Sequence, residues 1–183
     1  AFGAMFKKPI AAGNLFIGAF DTGPVLTDPL SATQFGLPFN QIPLALEGYY
    51  KYSPGATVTD ENMKPVNTKD SCDIYAVFYN RKQLMDSQSD PNKKVSYLTG
   101  HNILKDPSIV AIARLDNGGA TKADDFVKFT LPFKYTAKVN EADVANLDYS
   151  IAIVMSSSKY GDNFIGAVGS KLTVDDLKIV TKK

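Results

Sequence analysis

A two-residue period that returns again and again along the chain, separated by turn signals, limits the fold more than any other feature. Leu44 to Tyr52 reads LALEGYYKY, so Leu44, Leu46, Gly48, Tyr50 and Tyr52 share one face, while Glu47, Tyr49 and Lys51 share the other. Cys72 to Tyr79 repeats the arrangement, with Cys72, Ile74, Ala76 and Phe78 inward and Asp73, Tyr75, Val77 and Tyr79 outward. Phe126 to Tyr135 sets Phe129, Leu131, Phe133 and Tyr135 against Lys128, Thr130, Pro132 and Lys134, with Pro132 limiting pairing on one side. Tyr149 to Met155 points Tyr149, Ile151, Ile153 and Met155 inward, and Ile109 to Leu115 is the continuous apolar run of a central strand, with Arg114 turned to the outer surface. Ile10 to Phe20, interrupted by Gly13 and Gly18, reads as a buried strand with a bend or bulge. Sustained helical periodicity is missing: Val139 to Leu147 suits one helical turn, and Asn80 to Asn92 is too short and interrupted for a helix. The class is therefore all-β, an antiparallel β-sandwich.

The connections fit that class. Asp21 to Pro43 is rich in Pro and polar residues and reads as surface loop with short extended pieces, Ala56 to Ser71 as loop or weak hairpin, and Val95 to Leu98 as a brief pairing segment. A chain of 183 residues buries one substantial core, so one domain is expected, and no apolar run approaches membrane-spanning length. The 20 basic residues are nearly all Lys; Arg81 and Arg114 alone could make forked contacts, and no basic cluster exists, which excludes a nucleic-acid reader. Cys72 and His101 each stand alone in their type, so neither an internal disulfide nor a histidine-cluster metal site can form, and without a nucleophile elbow His101 reads as a structural or surface residue. Ala1-Phe2-Gly3 opens without a signal peptide and is expected to be a mature or trimmed terminus.

The segment Ser156 to Val180, SSSKYGDNFIGAVGSKLTVDDLKIV, closes the chain as a polar turn run, two glycine bends and a strand. Leu172 and Val174 occupy one phase and Leu177 and Ile179 the other, so a bulge at Asp175-Asp176 is expected. Two acids there read either as a solvated, edge-protecting pair or as part of an oxygen-rich calcium site.

With IAAGNLF, FGLPF, GYYKYSPG and CDIYAVFY, that closing segment resembles the putative carbohydrate metabolism domain family, known from surface and lipoprotein components of gut Bacteroidetes, over about Ile10 to Val180. The resemblance implies a jelly-roll forming the C-terminal part of a secreted lipoprotein behind an immunoglobulin-like domain, and an extracytoplasmic place at the outer membrane or cell surface. It supplies no catalytic residues. Gly18 to Gly23 and Val174-Asp175-Asp176-Leu177 also resemble the opening and closing strands of jelly-roll carbohydrate-binding modules, which implies a structural calcium with Asp21 and Asp175 as ligands; no other cofactor is expected.

Sugars present apolar C–H faces rimmed by hydroxyls, so their sites join an aromatic platform to charged and amide groups. The outer face proposed above has that composition: Tyr49, Tyr75 and Tyr79 as platforms, Glu47, Lys51, Asp73 and Arg114 as polar partners. Tyrosines are equally good strand formers on a half-covered sheet, and that reading stands beside the first. Non-catalytic glycan recognition is the expected function. The alternatives are a glycoside hydrolase using Glu47 and Asp73 as its paired carboxylates, if their strands are neighbours, and a surface-assembly or adhesion module whose tyrosine face is covered by another protein.

Overall fold

The computed structural model describes residues 10–122 and 125–182; the Ala1-Phe2-Gly3 start lies outside them. Among these residues, fourteen strands run in chain order: β1 (Asn14–Phe16), β2 (Gly18–Phe20), β3 (Thr33–Phe35), β4 (Leu37–Pro38), β5 (Pro43–Ser53), β6 (Val58–Thr59), β7 (Pro65–Val66), β8 (Asp73–Asn80), β9 (Ile109–Arg114), β10 (Val127–Pro132), β11 (Lys134–Tyr135), β12 (Tyr149–Ser156), β13 (Gly166–Ala167) and β14 (Lys171–Thr181). Among the described residues, two short α-helices interrupt them, α1 (Arg81–Asp86) and α2 (Glu141–Ala145). A six-stranded sheet has the order β1-β12-β8-β9-β11 with β4 also on β12, and a three-stranded sheet has the order β10-β5-β14. All pairings among the described residues are antiparallel.

The two sheets pack face to face through the side chains that the alternation assigns inward. Leu46, Tyr50 and Tyr52 of β5 meet Ile74, Ala76 and Phe78 of β8, with Phe129 and Leu131 of β10 and Tyr149, Ile151 and Met155 of β12. The Phe78 and Tyr149 rings stack at 5.0 Å, and Tyr50 meets Phe129 edge-on at 6.0 Å. Each such burial contributes on the order of 2–3 kcal/mol. Cys72 belongs to this core, and burial pushes its thiol up to about 12, so it is an inert apolar residue. The antiparallel sandwich read from the sequence is thus present.

Local irregularities carry the remaining strand logic. Asp175 pairs with Tyr49 and Lys178 with Glu47, so three steps on β14 span two on β5: the expected bulge, with Asp176 in the left-handed region at φ 53°. It returns Ile179 to the core that Leu172 and Val174 also line. A second shift, between Val180 and Thr181, leaves Leu44 unmatched on β5 and 46% exposed, not in the core. Pro132 ends the edge strand β10, after which the chain crosses to the other sheet as β11; Tyr135 is consequently exposed instead of continuing the inward row, and its hydroxyl donates to the Pro43 carbonyl at 2.6 Å.

Some connections differ from expectation. The Ile10 to Phe20 run is not a buried strand: it breaks at Ile17 into two edge pieces, with Leu15 and Phe20 more than half exposed. Gly18 is required, because a Cβ there would sit 1.9 Å from the Gln34 carbonyl oxygen. Arg81 to Asp86 is helical after all, started by the Asn80 side chain accepting from the Gln83 amide at 2.8 Å. The turn within Val139 to Leu147 is α2, capped by Asn140, and the Ala56 to Ser71 loop contains the small β6-β7 hairpin.

The largest departure concerns the outer face of β8. Tyr75, Val77 and Tyr79 do point away from the central core, yet they enter a second one, formed with Phe35, Leu84, Leu98, Ile103, Ala152 and Val154. Tyr79 is wholly buried, and its hydroxyl donates to the Phe35 and Ser96 carbonyls at 3.1 and 3.0 Å. Segments between β2 and β4 and between β8 and β9 roof this sheet, with Leu98 bridging Phe35.

Candidate functional site

The seven residues expected to share one face divide between the two outer surfaces of the sandwich. Glu47, Tyr49 and Lys51 lie outside the three-stranded sheet. There Glu47 sits in a cross-strand row between Thr130 and Lys178, and Tyr49 between Lys128 and Asp175. The Lys178 ammonium, 3.0 Å from Glu47 Oε2, holds that carboxyl below its ordinary value. Lys51 lies 5.2 Å from the Phe126 ring. Asp73, Tyr75, Tyr79 and Arg114 lie outside the other sheet. Packed sheets are about 10 Å apart and both carboxylates point away from the shared core, so Glu47 and Asp73 cannot flank one glycosidic bond. Tyr79, with no exposed surface, is a structural residue and no platform.

What does assemble is a cleft of about 380 Å³ at one end of the roofed face. Strand register sets its floor. Phe16, Val154, Tyr75 and Arg114 are successive cross-strand partners on β1, β12, β8 and β9, and Asn14, Ser156 and Asp73 form the row beside them. Because register fixes side-chain direction, both rows project into the same space. Arg114 Nε donates to Asp73 Oδ1 at 3.0 Å and its Nη2 to Oδ2 at 2.5 Å, a fork that raises the guanidinium's already high pKa. The guanidinium carbon lies 5.5 Å from the centre of the Tyr75 ring. Burial first, then the Asp73 charge, pushes the Tyr75 phenol well above its usual value, so it stays a neutral hydroxyl at any physiological pH.

The walls come from turns that the strand pattern did not single out. After β12, a 3-10 turn brings up Tyr160, 57% exposed with Lys159 Nζ 6.0 Å from its ring centre, together with Asp162 and Asn163. Opposite, residues 100–105 carry His101, whose Nε2 lies 2.8 Å from Asp28 Oδ1. Hydrogen bonds from Ser31 and then His101 hold the Asp28 carboxyl below its ordinary value. His101 is thus a surface residue at the cleft, as its lone occurrence suggested.

The Tyr160 wall is anchored from beneath. The carboxylate of buried Asp70 accepts from Ser158 Oγ at 2.7 Å, the Ala167 amide at 2.8 Å and Ser170 Oγ at 2.7 Å, and Tyr52 donates to the Ser157 carbonyl at 3.0 Å. The polar run SSSKYGDN is therefore part of the site. Its signal in the sequence was a serine, aromatic and acid cluster between two strands, a composition shared with ordinary exposed turns.

Asp21 and Asp175, the residues expected to ligate calcium, lie on separate segments. Asp21 Oδ1 accepts from the Gly23 amide at 2.8 Å in the loop after β2, while Asp175 Oδ1 accepts from the Asp176 amide at 2.9 Å on β14. Among the described residues, no group of three or more His, Cys, Asp or Glu side chains gathers to hold a metal ion.

The chain is thus an antiparallel sandwich with one face roofed and an aromatic, charge-lined cleft at the end of that face. The chain belongs to the family described as putative carbohydrate metabolism domain, whose model matches residues 1–180. It is similar to a crystal structure described as a putative glycoside hydrolase from Bacteroides thetaiotaomicron, with 41% identity and a TM-score of 0.86 over 100% of this chain and 50% of that one. A second, described as a putative glycoside hydrolase from Bacteroides vulgatus, shares 38% identity with a TM-score of 0.83 over 100% of this chain and 69% of that one. The chain thus spans half the length of the first relative. No curated protein matches it. Among the described residues, no helix is long and apolar enough to cross a membrane.

Proposed function

We propose that this domain recognises a glycan without cleaving it, and that the sugar lies in the cleft between Tyr160 and the Asp73–Arg114 pair. The carrying observation is the combination in one concavity of an exposed tyrosine ring with a fixed guanidinium, an acid and an amide. Tyr160 is the platform for an apolar sugar face; Arg114, Asp162, Asn163 and Asn14 are the hydroxyl partners. Of the residues first considered, Asp73, Tyr75 and Arg114 remain in the proposed site, and Glu47, Tyr49, Lys51 and Tyr79 leave it. The domain acts as one jelly-roll module near the C-terminus of a longer, surface-anchored lipoprotein; the greater length of both similar proteins supports a longer parent chain.

Glycan-array or affinity-gel binding tests this reading. Binding lost in Tyr160→Ala and kept in Tyr49→Ala supports it, and binding that survives Tyr160→Ala removes the platform assignment.

Hydrolysis is the second reading, favoured by the description of both similar structures. Within the cleft, its carboxyl pair would be Asp73 and Asp162. Against it, both oxygens of Asp73 are engaged by Arg114, so proton transfer there must first break the fork. Turnover of a glycan panel that disappears in Asp162→Asn would establish catalysis in place of binding.

A further inference from the structure

We propose that the cleft continues into an apolar annex that takes the non-sugar part of the ligand, so that the preferred ligand class is a glycoside with an aryl aglycone. The inference rests on the glycan reading of the cleft and adds a second compartment to it. The annex has a volume of about 310 Å³, and Phe20, Val25, Leu30, Ala32 and Phe164 supply its apolar walls. Asn14, Thr33, Phe35, Gly100 and Asp162 line both spaces, so one ligand can span them without leaving protein contact.

Beyond that shared boundary, where Asn14, Thr33 and Asp162 are polar, the two spaces differ in polarity. The cleft side carries Arg114, Asp73 and Asn163, whereas the annex walls offer rings and aliphatic chains. An apolar space gives water few hydrogen-bond partners, and a dry cavity of about 150 Å³ already accepts benzene, so the annex is large enough for an aryl group. The turn after β12 serves both compartments in five residues: Tyr160 faces the cleft, Asp162 lines both, and Phe164 lines the annex. Phe164 occupies the left-handed region at φ 58°, a costly conformation for an aromatic residue. At the boundary, Gly100 donates to the Leu30 carbonyl at 2.8 Å, and a Cβ on it would come within 2.9 Å of Leu30 Cδ2. Glycine there lets the annex wall close against the cleft. Phe20 stays 52% exposed on its edge strand, an apolar ring that the packing of the described residues does not bury.

Calorimetric titration with matched methyl and phenyl β-glycosides of glucose, galactose, mannose, xylose and N-acetylglucosamine tests the annex, with phenol as a control. The expected result is that at least one phenyl glycoside binds about tenfold tighter than its methyl counterpart, about 1.4 kcal/mol, while phenol alone is far weaker. Phe20→Ala, at an exposed edge position, and Leu30→Ala should each reduce that advantage and leave methyl-glycoside affinity unchanged. Equal affinity for methyl and phenyl partners overturns the annex and leaves the glycan reading intact. Failure of every glycoside to bind overturns both, and phenol binding as tightly as the phenyl glycosides overturns the joint ligand. If Leu30→Ala does not fold, Phe20→Ala decides alone.

Discussion

The two outer faces of the sandwich begin from the same strand pattern and end as opposites. On β5, Glu47, Tyr49 and Lys51 alternate with core residues and meet solvent beside Thr130, Lys128 and Lys178. On β8, Asp73, Tyr75, Val77 and Tyr79 alternate in the same way, yet all are buried. The difference arises from what the neighbouring connections carry. Leu84, Leu98 and Ile103, between β8 and β9, cover the second face, whereas no comparable set packs on the first among the described residues. A strand's period tells which residues leave the core, and the apolar content of distant loops decides whether they then reach water. The cleft sits at the end of the covered face, where the roof gives way to the turns at residues 100–105 and 160–163.

Stability measurements sharpen that contrast most strongly. Tyr79→Ala removes a fully buried ring and two hydrogen bonds and should cost about 3–5 kcal/mol in denaturant unfolding. Tyr49→Ala on the open face should stay within about 0.5 kcal/mol. Similar losses from both would break the comparison.

Asp70→Ala comes next. It leaves two hydroxyls and an amide without their acceptor beneath the Tyr160 wall, at an expected cost of about 2–3 kcal/mol, and should weaken glycan binding although Asp70 does not line the cleft. Arg114→Met should cost about 2 kcal/mol, because it strands the nearly buried Asp73 carboxylate while part of the pair remains solvated. The double variant with Asp73→Asn should recover much of that loss, and a chemical-denaturation cycle reads the coupling directly.

The smallest effect belongs to the open face. Lys178 lowers the Glu47 carboxyl, so this pair contributes stability above the ordinary glutamate range and loses that contribution as pH falls through the folded-state value. Lys178→Met should move the Glu47 titration midpoint upward in a carboxyl-carbon NMR experiment, and should make stability less dependent on acidification. An unchanged midpoint would remove the ion pair from the account of this face.

Much of the fold was legible because strands report themselves locally. The phase change from Leu172 and Val174 to Leu177 and Ile179 announced the bulge at Asp176, although only Ile179 of the second pair joins the core and Leu177 stays 39% exposed; Pro132 marked an edge strand, and Cys72 announced a core position. Half of the site chemistry was legible too: Asp73, Tyr75 and Arg114 belong together because β8 and β9 are neighbours in register. Their separation from Glu47 and Tyr49 was hidden, since alternation assigns residues to a face of their own strand and says nothing of which sheet that strand joins. Tyr160, Asp162 and Asn163 were hidden for another reason. A polar turn looks the same whether it borders a cleft or open water, and only the anchoring by Asp70 and Tyr52, from sites far away in sequence, gives this one a fixed place.

Backbone amide chemical-shift mapping tests the central claim most directly, with titration of whichever glycan is retained in array or affinity screening. The account predicts that perturbations gather at residues 73–75, 100–105, 114 and 154–163, around the cleft of the covered face. Perturbations gathered instead at residues 47–51 and 127–130 would contradict it and return ligand binding to the open face.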